Sequence, residues 1–204
     1  EWVAPAGTAL AASVLLRPGL PVERFGWIPL LAGLAVARAA DRFLDPARVA
    51  VKWPNDVLVG GRKLSGLLSE LAADGSVVVG MGVNTTATAE DLPVPTATSL
   101  SIEGAEDPSP DAVLSAILAE LIPLYSSFVA SRGDALASGL RAAVTERCST
   151  VGARVRLELP GGAVVTGTAR GIDADGRLVL QPADGSGLLP VAAGDVTHVR
   201  AVAD

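Results

Sequence analysis

A lysine closes the short apolar run Val49-Ala50-Val51-Lys52, and Trp53-Pro54-Asn55-Asp56 follow at once. A cation where a strand enters a loop stands where ligand sites gather in α/β folds. Proline disfavours the α region for the residue before it, so Trp53-Pro54 stiffens the exit. Asn55 and Asp56 can hydrogen-bond the turn or reach a ligand. Two readings of Lys52 follow. It is a salt-bridged lysine on a rigid turn, or a fixed ammonium that stabilises negative charge. Gly61-Arg62-Lys63-Leu64-Ser65-Gly66 supplies a second cation, Lys63, which can attract phosphate or lie exposed.

The distribution of charge supports an anionic small-molecule ligand. The 204-residue chain carries a net charge of -6. Yet Arg38, Arg42, Arg48, Lys52, Arg62 and Lys63 fall in one segment against Asp41, Asp45 and Asp56, while residues 64–131 contain no Lys or Arg. A local cationic site in an acidic protein fits an anion. Arg38, Arg42 and Arg48 read rather as a solvated face. The acidic balance argues against nucleic acid as a partner of this chain. One Cys excludes an intramolecular disulfide and fits a reducing, cytoplasmic setting, and one His excludes a His-rich metal site.

Other chemistry fails on context. Gly80-Met81-Gly82-Val83-Asn84 starts like a dinucleotide fingerprint but lacks the third glycine. Gly61 to Ser65 lacks the spacing of a phosphate loop. His198 falls in a C-terminal β region and reads as an ordinary strand residue. Cys148 has no adjacent base and reads as a small buried hydrophobe at a helix end. The longest uncharged apolar stretch, residues 25–37, is shorter than a spanning helix and contains Pro29, so no membrane span is expected.

The elements that must position Lys52 are legible from periodicity. Hydrophobic residues are 50% and aromatics only 3%, so Ala, Val and Leu must fill the core. Residues 8–17 read as a buried strand stopped by Pro18-Gly19, and 22–44 as one helix docked on a sheet. Strands are expected at 49–52, 56–59, 63–71 and 77–83, with a turn at Gly60-Gly61. Residues 87–111 form loops around Thr98-Ser99-Leu100. Ser109-Pro110-Asp111 then opens a helix to about Ser131. A second helix covers 136–148. Beyond Arg154 five short β runs (155–159, 163–169, 177–181, 187–191, 196–200) alternate with Gly and Asp turns. They suggest an SH3-like barrel. The expected architecture is α/β (α+β): a mixed sheet flanked by helices over 1–150, and a small β-barrel over 151–204.

These motifs, in order, resemble the biotin protein ligases. Lys52 to Val57, then Gly61 to Gly66 and Leu67 to Glu70, match that family's lysine signature. Val79-Gly-Met-Gly-Val-Asn84 resembles its Gly-x-Gly-x-Asn strand, and Ala97-Thr-Ser-Leu100 its Thr-Ser-Leu segment. Residues 154–200, with Gly194-Asp195-Val196, resemble its C-terminal β domain. The family places a Gly/Arg-rich loop before a Trp. Trp2 is similar to that Trp, so the resemblance puts the loop, and any DNA-binding domain, ahead of Glu1.

The resemblance implies ATP-dependent attachment of biotin to a lysine of a biotin carboxyl carrier protein, through biotinyl-5′-AMP, with Mg²⁺ accompanying ATP. It implies that Lys52 is catalytic and bonds the biotin carboxyl group and the phosphate. Trp2 is implied to pack on adenine, and Asn84 to read adenine or ribose or else to cap its strand. Gly66 and Gly82 fit places where backbone approaches a ligand, or a bulge. Asn55 and Asp56 would orient Lys52 or a metal-bound water, or only shape the turn; no direct metal ligand is implied. A homodimer occurs in the family. The alternatives are a lipoate or octanoate ligase or transferase of the same superfamily, and a non-catalytic binding or regulatory fragment.

Overall fold

The computed structural model describes residues 4–192 and 195–198, with the side chains of Asp195, Thr197 and His198 outside that description. Its first sheet comprises β1 (Ala9–Leu16), β2 (Val49–Lys52), β3 (Asp56–Val59), β4 (Arg62–Leu71) and β5 (Val77–Asn84), in the order β1-β5-β4-β3-β2. The pairings between these strands are antiparallel, so the sheet is not the mixed one expected; among the described residues parallel pairing is confined to two isolated bridges, Val51 to Cys148 and Lys63 to Ala97. Apart from the irregularity between β3 and β4, side chains alternate between the two faces, as in a half-covered sheet. Leu10 and Leu16, Val49 and Val51, Val57 and Val59, and Val77, Val79, Met81 and Val83 are buried on one face.

That face is covered by α1 (Trp27–Ala40), α2 (Pro110–Ala130) and α3 (Leu140–Arg147). α1 packs on β2, β3 and β4 and is covered in turn by α2 and α3. It is apolar except at Arg38 because it is enclosed on nearly every side. The helix expected over 22–44 is shorter. A 3-10 turn spans Val22–Arg24, the α-helix starts at Trp27, and 41–44 are turns. Pro29 has no amide to donate to the Phe25 carbonyl, which takes the Ile28 amide instead. α2 begins as expected: Ser109 Oγ accepts from the Ala112 amide at 3.3 Å and Pro110 occupies the first turn. α3 starts at Leu140 rather than 136. Asp134 accepts from the Leu136 and Ala137 amides to form a separate turn, and Gly139, at φ 76°, ends it in the left-handed region. By length and composition α2 could cross a membrane, which the apolar count missed; here it packs on α1 and β1 through Val113, Ile117, Leu121 and Phe128.

The second sheet is an antiparallel meander of β6 (Arg154–Glu158), β7 (Val164–Ile172), β8 (Leu178–Pro182) and β9 (Leu189–Val191). β10 (Asp195–His198) returns to pair with β6, giving the order β10-β6-β7-β8-β9. Val155, Leu157, Ala169, Ile172, Leu178, Leu180, Val191 and Val196 bury its inner face. The five expected β runs are all present within two to three residues, except that 199–200 lie outside the described residues. The class is α+β throughout.

Candidate functional site

Register assembles the site. Lys52 pairs with Asp56, Asp56 with Gly66, Gly66 with Gly82 and Gly82 with Ala11. Directly opposed residues share a face. One row therefore crosses all five strands on the face turned away from the helices. It contains four residues singled out from the sequence.

Within the row Asp56 lies between two cations. Lys52 Nζ stands 3.9 Å from Asp56 Oδ2, and Lys63 Nζ stands 2.5 Å from Asp56 Oδ1. Asp56 is 15% exposed, Lys52 22% and Lys63 42%, so the cluster is partly desolvated yet open to a ligand. Two positive charges on one carboxylate leave a local net positive charge, which is the electrostatic condition for holding an anion.

Lys63 reaches this face through a β-bulge. β3 pairs Val57 with Ser65 but Leu58 with Lys63, so Leu64 is the extra residue. In unbroken alternation Lys63 would share the helix-side face with Ser65 and Leu67. The bulge shifts the phase, buries both Leu64 and Ser65 and turns Lys63 outward. Strict period-2 reading of 63–71 gave no signal of this. The run Leu64-Ser65 within the Gly61 to Gly66 motif is the only trace it leaves in the sequence.

Next to the cluster the sheet is bare. Gly66, Gly80 and Gly82 carry no side chains, and with Ala11, Ser13 and Leu68 they line a cleft of about 550 Å³. That lies within the ~300–1,000 Å³ typical of small-molecule sites. The cleft spans β1, β5 and β4. Lys63 is on β4 itself, and Lys52 lies two strands away, ~10 Å at the usual strand spacing. A larger cavity of about 800 Å³ opens where β1 ends and β4 turns into β5. Its charged groups are Arg17 and Asp74, and none of the residues expected from the sequence lines it.

Asn55 and Asn84 act on the frame around the cleft. Asn55 Nδ2 donates to the Leu67 carbonyl at 2.6 Å, and the Leu67 amide donates back to the Asn55 carbonyl. This fastens the turn that carries Lys52 and Asp56 to the strand that carries Gly66. Asn84 is 6% exposed and its Nδ2 donates to the Thr98 carbonyl at 2.8 Å. Its amide nitrogen therefore holds the Thr98-Ser99-Leu100 segment, as a strand-end cap does. The Trp53–Pro54 peptide is cis. Trp53 is 1% exposed.

Sequence reasoning missed a second carboxylate. The Glu103 side chain is 1% exposed; it binds Arg48, Arg62 Nη2 (2.6 Å) and the Thr98 hydroxyl, which donates at 2.6 Å. These contacts tie the 96–103 loop to the start of β4, where the Lys63 amide donates to the Thr96 carbonyl and the Thr98 amide to the Lys63 carbonyl. Arg38 and Arg42, both exposed, face Glu120 on α2 and are remote from the row. Arg48 is not a purely solvated charge, since it pairs with Glu103. Cys148 is buried at the end of α3. Trp2 lies outside the described residues, and so does the side chain of His198. Among the described residues no group of three His, Cys, Asp or Glu could hold a metal. Asp56, already against two ammonium groups, is poorly suited to a cation and well suited to orienting lysines.

Comparison with known proteins identifies the family. Residues 1–84 match the family model described as the biotin/lipoate A/B protein ligase family, and residues 150–199 the biotin protein ligase C-terminal domain. The biotin–[acetyl-CoA-carboxylase] ligase of Mycobacterium tuberculosis is 41% identical over 202 residues, covering 98% of this chain and 73% of that protein. The crystal structure of biotin protein ligase from Aquifex aeolicus superposes with a TM-score of 0.77 at 25% identity, over 95% of this chain and 83% of that one. That of Leishmania major in complex with biotinyl-5-AMP gives 0.55 at 25% identity, over 94% and 81%. Four-tenths identity along nearly the whole chain, on a matching fold, is decisive: this chain belongs to the biotin protein ligase family of enzymes.

Proposed function

We propose that this chain carries the biotin-activating centre of a protein ligase that attaches biotin to a lysine of a carboxyl carrier protein through biotinyl-5′-AMP. The observation that carries the reading is the pair of lysines on Asp56 at the rim of a glycine-lined cleft. The Mycobacterium relative is named for acetyl-CoA carboxylase as its target, and the Leishmania relative was crystallised with biotinyl-5-AMP; both lend support.

In the first step a biotin carboxylate oxygen bonds to the α-phosphorus of ATP, the bond to the pyrophosphate oxygen breaks, and pyrophosphate leaves. In the second the carrier amine bonds to the acyl carbon, loses a proton, and AMP leaves. Both steps concentrate negative charge at the carboxyl–phosphate junction. Fixed ammonium groups there lower the barrier by stabilising charge as it develops. Lys52 and Lys63 are the groups we assign to this, held by Asp56. Gly66 and Gly82 leave room for the ligand, while Asn55 and Asn84 hold the frame. Trp2 remains our candidate for stacking on adenine. Mg²⁺ would travel with ATP, held by phosphates and water, since the described residues offer no ligand cluster. We also read the chain as two domains, a catalytic one over 1–150 and a β domain over 151–204.

The test is pyrophosphate release by the full-length protein given MgATP with biotin, then with lipoate. Turnover with biotin and none with lipoate is expected. Turnover with lipoate alone would establish the rival ligase, and binding without turnover a regulatory role.

A further inference from the structure

The residue after Lys52 is held by the second sheet. Trp53 donates its main-chain amide to Thr150 Oγ1 at 3.1 Å and its indole Nε1–H to the Gly176 carbonyl at 3.1 Å. On the other side of Lys52, the Val51 carbonyl accepts from the Ser149 amide at 2.9 Å and from the Ser149 hydroxyl at 3.2 Å. Lys52 is thus bracketed by two residues whose backbones are fixed by the segment 149–150. One of the two also has its ring fixed by the turn 173–176.

That turn is itself immobilised. The Trp27 indole donates to the Ala174 carbonyl at 2.9 Å, and Arg24 Nη1 donates to the same carbonyl at 3.1 Å. Gly176, at φ +83°, lies so close to the start of α1 that a Cβ there would stand 2.6 Å from the Gly26 carbonyl carbon and 2.9 Å from the Trp27 nitrogen. A Cβ on Gly26 would collide with the Asp175 carbonyl oxygen. Within the turn the Asp173 carboxylate accepts from the Asp175 and Arg177 amides and from Arg177 Nε. The carbonyls that meet the two indoles therefore have little freedom.

We propose that the Asp173–Gly176 turn, with Thr150, is a positioning element for the Lys52–Asp56 turn: by fixing Trp53 it sets where the Lys52 and Asp56 side chains stand, so the second sheet contributes to activation without touching the reacting atoms. This rests on the reading of the two lysines given above. Trp53, Thr150 and Gly176 are positioning residues.

The experiment uses the full-length protein with MgATP, biotin and a carboxyl carrier domain as acceptor, reading steady-state pyrophosphate release and the thermal midpoint together. Trp53→Phe keeps an aromatic ring and removes the indole donor. Thr150→Val removes the hydroxyl, and Thr150→Ser restores it. Phe128→Leu, in the α1–α2 layer, supplies a destabilised control. Misplacement on the ångström scale can cost about 100-fold in rate. We expect kcat to fall about 10-fold or more in Trp53→Phe and in Thr150→Val. Thr150→Ser should recover most of it, and Phe128→Leu should leave kcat near its original value at a matched or larger loss of midpoint. In a Lys52→Ala, Lys63→Ala background Trp53→Phe should cost no further rate, as expected for residues acting through one unit. If Thr150→Val and Thr150→Ser have equal rates, or if rates track midpoints across all four variants, the positioning role is overturned and the lysine reading stands. If Lys52→Ala and Lys63→Ala are both as fast as the unchanged protein, the lysine reading itself falls. Should Trp53→Phe fail to fold, the Thr150 pair decides the matter alone.

Discussion

Asp56 and Glu103 are two carboxylates that each hold two cations, and they are built to opposite ends. Asp56 is 15% exposed and is approached by two lysines, one close at 2.5 Å and one loose at 3.9 Å. The Glu103 side chain is 1% exposed and is gripped by two arginines and a threonine hydroxyl. A guanidinium offers a rigid fork that matches a carboxylate, whereas an ammonium is a compact point charge on a flexible stem. The arginine cluster is closed, with its acceptor saturated. The lysine cluster is open, with donors to spare and a cleft beside it. The first fastens a loop, and the second is equipped to receive an anion.

The sharpest way to break this contrast is to truncate the lysines. Lys52→Ala and Lys63→Ala should each lower biotin-dependent pyrophosphate release on the order of 100- to 1,000-fold, the usual cost of losing one charge-stabilising donor, while the thermal midpoint barely moves. The larger of the two effects tells which ammonium meets the reacting centre. A midpoint collapse with a proportionate rate loss would mean that the open cluster is structural after all.

Glu103→Gln should do the reverse. It removes a buried acceptor charge, but Arg48 and Arg62 are nearly half exposed and can rehydrate. A loss of about 1–3 kcal/mol in denaturant unfolding is expected, with the rate of the folded protein falling far less than in the lysine variants. On the helix-side face of β4, Ser65 is fully buried and its hydroxyl has no partner. Ser65→Ala should stabilise the protein by about 1 kcal/mol, which equilibrium unfolding would register. A loss of stability would show that the hydroxyl is satisfied in solution.

The smallest effect concerns a third carboxylate of the closed kind. Burial pushes the Asp173 carboxyl up, but hydrogen bonds from the Arg177 amide and guanidinium and the Asp175 amide pull it further down, below the ordinary aspartate value. A depressed folded value means that the ionised form stabilises the fold. That contribution is complete above the ordinary value, ~3.9, and is lost as pH falls through the folded one. Thermal midpoints recorded downward from pH ~5 should therefore fall more steeply for the unchanged protein than for Asp173→Asn. Parallel curves would refute the assignment.

Much of the frame was legible from residue order because alternation and capping are local. β1 to β5, the Ser109 cap and the C-terminal β runs all announce themselves in this way. The row that carries the candidate site was legible in its members Lys52, Asp56, Gly66 and Gly82, but not in its geometry. Three features escaped for physical reasons. A bulge at Leu64 turns Lys63 to the cleft, and one inserted residue leaves no periodic mark. Glu103 lies in a polar loop, where composition does not distinguish a buried acid from a solvated one. The contacts of Trp27 and Trp53 with the 173–176 turn join residues more than a hundred positions apart. The helix expected over 22–44 begins only at Trp27, where Pro29 has no amide for the Phe25 carbonyl, and it gives way to turns over 41–44.

The bridge between Val51 and Cys148 carries a practical consequence. Cys148 is the one thiol of the chain, it is 6% exposed, and its backbone meets the strand that presents Lys52. A maleimide can reach that sulfur when the joint between strand and helix end opens. The rate of alkylation under native conditions is therefore a clock for that opening, free of background from other thiols. Ligand that holds the joint shut should slow the clock.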